Sequence, residues 1–405
     1  MHIWIDNPSD LFPESIINKF SPESITGKIK FVTKNILADF LRVFKRHNIP
    51  TQKIWFFVLT QNNFDALKEI KKFIPDSIYT SFFRFKSTIN ENSTHYFYLP
   101  FRFFRNFLYP IYWLIYYFNN KKKAGKYYDL LMTVNGSYEE CLRLLKKNKP
   151  KAIVFANDHL IIARSMLLAA NHLGIKTYYV QHASVSEYFP PLEFSYALLE
   201  GMDSQLKYAK CGEVKSIVHL CGMSKFDQFS KQLNVKKKVG VVGFAFNLID
   251  EIEEVFKFVS QLIEDNSNLK ILLRAHPGDS RNMELFRNFS FSDSKTEPAF
   301  NFLSKIDCLI SGESSIHLEA VLLDVYPLHF SFDKKIQFDY YGFVKNNLVE
   351  HFPDINDLNE KLKELQFMKP KVQQRAIPYN AAIGSDFYGS TSKKIADIIL
   401  DTMNN

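Results

Sequence analysis

A chain of 405 residues, 46% of them hydrophobic and 23% charged, is too long for one hydrophobic core and too apolar for disorder, so two globular domains are expected. Its formal net charge of +8 suits an anionic partner, whether a nucleotide, a phospholipid surface or nucleic acid. Cys141, Cys211, Cys221 and Cys308 show neither CxxC spacing nor neighbouring histidines placed like a zinc site, which leaves reduced structural thiols as the simplest account.

Met1–Asp6 reads as a first β-strand and lacks the basic and apolar regions of a signal peptide, so a cytoplasmic protein is expected. Lys53–Thr60 (KIWFFVLT) and Asp129–Val134 (DLLMTV) are short apolar runs closed by polar or glycine-containing turns, the pattern of buried parallel strands. Between them, Phe101–Lys126 mixes dense aromatics with flanking Arg and Lys. A helix lying on an anionic membrane and a buried helix followed by a solvated basic loop both fit it. Its uninterrupted apolar part, Phe107–Phe118, is too short to span a bilayer and contains Pro110.

From Lys151 the alternation sharpens. A strand runs to Ala156, a helix covers His159–Leu173 with Gly174 closing it, and a second strand reaches Val180 before Gln181-His182. A strand SYALLE, a helix over 203–210 and a strand ending at Gly222 follow, completing a Rossmann-like domain assigned to 1–225. After a linker at 226–236, residues 237–385 repeat the α/β alternation. Strands are predicted at 238–244, 269–274, 307–310 and 325–331, and helices at 248–264, 280–288, 298–304 and 314–323. An amphipathic helix over 386–405 closes the chain.

The strand KILLRA ends in His276-Pro277-Gly278-Asp279, which places Arg274 and His276 at a carboxyl end, where open α/β sheets bind ligands. A cation and an imidazole there can neutralise charge growing on a phosphate leaving group, so His276 also counts as a catalytic candidate. The strand DCLI runs into Ser311-Gly312-Glu313-Ser314-Ser315 and opens a helix carrying Glu319. Backbone N–H groups, hydroxyls and the positive helix end converge on one point that fits a phosphate, with Glu319 one turn on for ribose hydroxyls. The competing reading is plain helix capping, a solvated Glu319 and a loop histidine satisfied by backbone.

A transfer reaction also needs a base near the acceptor hydroxyl. Asn157-Asp158-His159 follows a strand of the first domain, and either Asp158 or His159 meets that need, although Asp158 also reads as a helix cap. Gln181, His182 and Asn135, the last at the expected end of the DLLMTV strand, are acceptor-side candidates. No cofactor is called for, because a nucleotide-activated sugar is a substrate, and no metal is required if Arg274, His276 and a helix end stabilise the leaving phosphate.

The pair "RAHPGD" and "ISGESSIHLEAVLLDVYPLHF", preceded by "YVQHA", "YALLEGMDSQLKYAKCG" and "VHLCGMSKFD", resembles GT-B glycosyltransferases that build bacterial envelope polysaccharides. Sialyltransferases, capsular Kdo transferases and teichoic-acid glycerophosphotransferases of that type share a His-Pro motif and a later Ser-Ser motif on the phosphate of a CMP- or CDP-linked donor. The resemblance places these at His276-Pro277 and Ser314-Ser315. It implies two Rossmann-like domains facing a central cleft, with a C-terminal helix crossing back. It further implies an inverting, metal-independent transfer, with a CMP-sugar favoured, to a glycan or lipid-linked acceptor in capsule or lipopolysaccharide synthesis at the inner-membrane surface.

Ala183 stands where the family's Gln-His pair is followed by glycine, and the acidic triplet of sialyltransferases is absent, which leaves the donor sugar open. CDP-glycerol transfer, UDP-sugar transfer and a UDP-GlcNAc 2-epimerase-like reaction are the enzymatic alternatives. The epimerases' paired glycines and adjacent glutamates are missing from SGESSIHLEA. A nucleotide- or sugar-binding protein without turnover and a nucleic-acid-binding protein are the other classes; no RRM, zinc-finger or helix-turn-helix pattern supports nucleic acid.

Overall fold

The computed structural model describes residues 21–44, 49–82, 94–105, 110–131, 133–248, 250–330 and 339–404; the strand expected over Met1–Asp6 lies outside them. Seven short runs form a first sheet: β1 (Ile54–Phe57), β2 (Ser77–Ser81), β3 (Thr94–Tyr96), β4 (Ala152–Phe155), β5 (Lys176–Val180), β6 (Tyr196–Leu199) and β7 (Ile217–Leu220). The order is β3-β2-β1-β4-β5-β6-β7, all parallel. Every residue of β1 and β4 is buried, which is why neither shows polar alternation. Trp55 and Phe57 face a core shared with helices Val134–Asn148 and Ile161–His172, whereas Ile54 and Phe56 face helix Gln61–Lys71.

The second sheet contains β8 (Val241–Phe246), β9 (Lys270–Ala275), β10 (Cys308–Ser311), β11 (Tyr326–Phe330) and β12 (Glu350–Phe352), in the parallel order β12-β11-β10-β8-β9. The C-terminal helix Thr391–Asn404 returns to the first sheet, as expected. Its Ile395, Ala396 and Ile399 enter the β1 and β4 core, and Thr402 Oγ1 lies 3.0 Å from the Tyr178 hydroxyl. Strand order reverses between β1 and β4 in the first sheet and between β8 and β10 in the second, and such switch points open crevices at the carboxyl ends.

Two predicted elements differ. Asp129–Val134 is not a strand: Tyr128–Leu131 forms one helical turn and Val134 opens the helix Val134–Asn148. Asp129 is buried against Lys28 at 3.3 Å, and Gly136 packs so closely that a Cβ there would lie 1.5 Å from the Arg102 carbonyl oxygen. Asn135 therefore sits in a first helical turn, not at a strand end. The helix expected over 280–288 shrinks to a single 3-10 turn, Glu284–Phe286. Asp279 and Asn282 accept backbone N–H bonds from Arg281 and Glu284 instead, offering the chain local alternatives to a helix.

Candidate functional site

The first switch point carries a histidine held by a buried carboxylate. Asn157 caps the turn after β4, its Oδ1 accepting from the N–H groups of His159 (3.3 Å) and Leu160 (2.9 Å). This frees Asp158 from capping. Asp158 is 1% exposed, and its two oxygens accept from His159 Nδ1 at 2.8 Å and the Tyr208 hydroxyl at 2.5 Å. Burial works against the charge, but bonds from His159 and Tyr208 hold the carboxyl below its ordinary range. An ionised acceptor on Nδ1 fixes the proton there and leaves Nε2 as the basic nitrogen of the neutral ring.

A second set of buried groups occupies the ends of β5, β6 and β7. Gln181 and Glu200 lock together: Glu200 N–H donates to Gln181 Oε1 at 2.9 Å, and Gln181 Nε2 donates to Glu200 Oε2 at 3.3 Å. Burial pushes the Glu200 carboxyl up to about 8, so it is largely protonated at neutral pH, and its Oε1 has no hydrogen-bond partner among the described residues. His182 stacks on His159 with ring centroids 6.4 Å apart, and burial pushes its imidazole down to about 3. Lys225 joins this group to the second sheet through an ion pair with Glu319. Burial opposes its charge, yet Glu319 and Glu200 hold the ammonium above its ordinary range. The crossing segment seats here too, since a Cβ on Gly201 would lie 2.4 Å from the Tyr379 carbonyl carbon.

At the second switch point, Asn247 after β8 donates from Nδ2 to the Glu313 carbonyl at 2.7 Å. The Glu313 carboxylate accepts the Tyr340 N–H at 3.1 Å and lies 3.3 Å from His329 Nε2. The Tyr340 ring in turn stacks on Tyr188 of the first-sheet half at 6.1 Å, and Lys207 donates to the Tyr341 carbonyl at 2.6 Å. Glu313 thus links the loop after β10 to the part of the chain that carries Asp158.

Three candidate side chains already have partners within the fold. Arg274 is buried; its guanidinium donates to Ser292 Oγ and the Glu297 carbonyl, each at 2.7 Å, and lies over the Phe302 ring, so it does not present charge to a ligand. The Ser311 hydroxyl is 1% exposed and donates to the Ala245 carbonyl at 2.7 Å. Glu319 is buried rather than solvated, with one carboxylate oxygen paired to Lys225. His276 and Pro277 are exposed at the end of β9, where His276 Nδ1 accepts the Gly278 N–H at 3.0 Å. Ser314 Oγ faces the Ile316 N–H at 3.4 Å, and Ser315 sits at the start of the short helix Ile316–Leu322 without a side-chain cap bond.

The structure therefore brings Asp158, His159, Gln181, His182 and Glu319 into one group and adds Glu200, Lys225, Tyr208 and Tyr340, which sequence reasoning did not select. Glu200 had a usable signal: it ends an apolar strand one position after Leu199, as Gln181 follows Val180 on the neighbouring strand. Among the described residues, no group of three or more His, Cys, Asp or Glu side chains is arranged to hold a metal ion.

No protein-family model and no curated protein matches the chain. Among solved structures it is similar to the wall teichoic acid polymerase TagF, in a variant soaked with CDPG, at a TM-score of 0.57 and 12% identity over 94% of this chain and 98% of that one. The Neisseria meningitidis UDP-GlcNAc 2-epimerase bound to UDP-GlcNAc gives a TM-score of 0.57 and 12% identity over 86% of this chain and 100% of that one. The glycotransferase of kitacinnamycin gives 0.55 and 12% over 87% and 99%. At such identities the likeness is one of fold: the chain has the GT-B-like architecture of two parallel-sheet domains.

Proposed function

We propose that the chain is a GT-B-type transferase that moves a sugar from a nucleotide-activated donor, a CMP-sugar by preference, to a glycan or lipid-linked acceptor in cell-surface polymer synthesis. The observation that carries this reading is the Asp158–His159 pair at the first sheet's switch point, with Tyr340 and Glu313 connecting it to the loop after β10. In this reading His159 Nε2 takes the acceptor hydroxyl proton as the acceptor oxygen bonds to the anomeric carbon. The bond from that carbon to the donor phosphate breaks, and its electron pair leaves on the phosphate oxygen. Asp158 is a positioning residue that fixes the tautomer and stabilises the imidazolium. His276, Pro277, Gly312, Ser314 and Ser315 are the proposed donor-phosphate contacts, and Gln181 and His182 the acceptor contacts. Arg274 and Ser311 are withdrawn from the donor set, and Glu319 stays a proposed ribose contact beside Lys225.

The fold likeness supports a nucleotide-linked substrate, since two of the similar structures are described with CDPG and UDP-GlcNAc. The test is a thermal-shift series with CMP, CDP, UDP, GDP and ADP, because a ligand of the native state raises its melting temperature. Stabilisation by CMP or CDP that His276→Ala abolishes is the expected result. Selectivity for UDP, with epimerisation of UDP-GlcNAc seen by NMR, would replace transfer with the epimerase reading, and no response to any nucleotide would sink both.

A further inference from the structure

The helix Ile25–Arg42 is built inside out. Its buried residues are charged: Lys28, 6% exposed, donates to the Lys126 carbonyl at 2.6 Å and pairs with Asp129, while Asp39, fully buried, pairs with Arg42 at 2.6 Å and Arg102 at 3.4 Å. Several of its apolar residues face outward instead. Ile25, Ile29, Leu37 and Leu41 recur at multiples of four, on one face of the helix, and are 71%, 56%, 60% and 63% exposed. Ile29, Leu37 and Leu41 share an open face of the helix with Lys30 and Lys34.

A second helix, Pro110–Asn119, repeats the pattern. Ile111, Leu114 and Phe118, at i, i+3 and i+7, are 69%, 56% and 63% exposed. It leads into the helix Lys121–Lys126, whose end the Lys28 bond fastens to the first helix. Burying ion pairs while leaving two apolar stripes in water is unfavourable for a protein that meets only water.

We propose that the outward faces of these two helices form a docking surface for an anionic lipid bilayer, with the apolar stripes entering the interface and the lysines meeting the headgroups. Charge complementarity selects this occupant. Lys30, Lys34, Lys121 and Lys126 are exposed beside the stripes, the segment 110–126 contains no acidic residue, and the only one in 25–42 is the buried Asp39. A second copy seated on the same face about a two-fold axis would set these lysines against each other. Interfacial binding also needs no spanning helix, and no described helix is long and apolar enough to cross a membrane. The inference goes beyond the transfer reading and does not depend on it, since binding is read with neither donor nor acceptor present.

The experiment is co-sedimentation of the full chain with phosphatidylcholine vesicles, with and without 30 mol% phosphatidylglycerol, a composition of about one anionic lipid in three. The expected result is binding to the anionic vesicles that falls at least roughly tenfold in Leu37→Glu/Leu41→Glu and in Ile111→Glu/Leu114→Glu, because each places charge where apolar area would be buried. Phe367→Glu, at a residue 79% exposed on the other sheet's side, is the matched control and should bind as the wild type does. The substituted positions face outward, so folding is checked simply by melting. No sedimentation with anionic vesicles overturns the proposal, as does binding that the helix variants leave unchanged. A concentration-dependent dimer that the same variants dissociate, without vesicle binding, overturns it in favour of a copy-to-copy interface.

Discussion

Asp158→Asn tests the proposed chemistry with little change of shape. The two Asp158 oxygens accept from His159 Nδ1 at 2.8 Å and from Tyr208 at 2.5 Å. An amide offers one oxygen and one NH2, so one of these charge-assisted bonds is lost whichever way it turns, a cost of about 1.5–3 kcal/mol in stability. Where the NH2 meets Nδ1, the ring takes the Nε2–H tautomer and the lone pair needed for the acceptor proton disappears. Loss of a positioned base is worth roughly 100- to 10,000-fold in rate, or about 3–5 kcal/mol of barrier.

The assay is donor turnover with acceptor at pH 7.5, alongside calorimetric donor binding and a melting curve. We expect kcat to fall at least about 100-fold with donor Kd unchanged and a cooperative melt retained. Turnover within a few-fold of wild type, or a collapse of donor affinity, would refute the assignment. The same variant carries a pH signature. The Asp158 carboxyl is held below its ordinary range, so its stabilisation is complete above about pH 4 and is lost as pH falls through the lower folded-state value. Asp158→Asn should lack that acid-side loss.

Two further outcomes separate structural from site roles. Arg274→Ala removes two 2.7 Å bonds and a stack on Phe302, so it should cost about 3 kcal/mol or more in melting while leaving donor affinity in the folded protein intact; lost affinity with normal melting would return Arg274 to the donor site. Burial raises the Glu200 carboxyl to about 8, so the folded state holds a proton that the unfolded chain releases near pH 4–5, and stability falls as pH rises from there to about 8. Glu200→Gln should flatten that slope and melt higher than wild type at pH 8.5; an unchanged slope would mean that Glu200 ionises freely in the fold.

The α/β alternation from Lys151 to Phe330 was legible because most of its strands are short apolar runs set between helices, with β4 and β10 buried throughout. The earlier part was less so. DLLMTV has the composition of a buried strand, and a run that short does not distinguish a strand from a packed helical turn; Lys28, a hundred residues away, decides it by pairing with Asp129. The strand SIYTS and the three-residue β12 carry too few apolar positions to stand out. At the site, sequence reasoning placed Asp158, Gln181 and Arg274 at strand ends but misplaced Asn135, and it did not give the direction of each side chain. Arg274 lies at the end of β9 as expected and turns inward to Ser292, a loop partner that no spacing rule supplies. Glu319 was read one helical turn beyond Ser315, but its partner Lys225 comes from the other half of the chain.

Incomplete polar groups beside the dyad give an acceptor something to complete, although such groups are not confined to it: Trp55 Nε1, Ser137 Oγ and Asp129 Oδ2 are also buried without a partner among the described residues. His182 Nδ1, Ser184 Oγ and Glu200 Oε1 are buried without a hydrogen-bond partner among the described residues, and all three belong to residues 181–200, beside the Asp158–His159 pair. Each such atom destabilises the ligand-free protein by about 1–3 kcal/mol. A hydroxyl-rich acceptor completing these atoms would regain part of that free energy only when bound at the dyad. The same incompleteness would then help to select an acceptor presenting donors and acceptors at the right positions over one that lacks them.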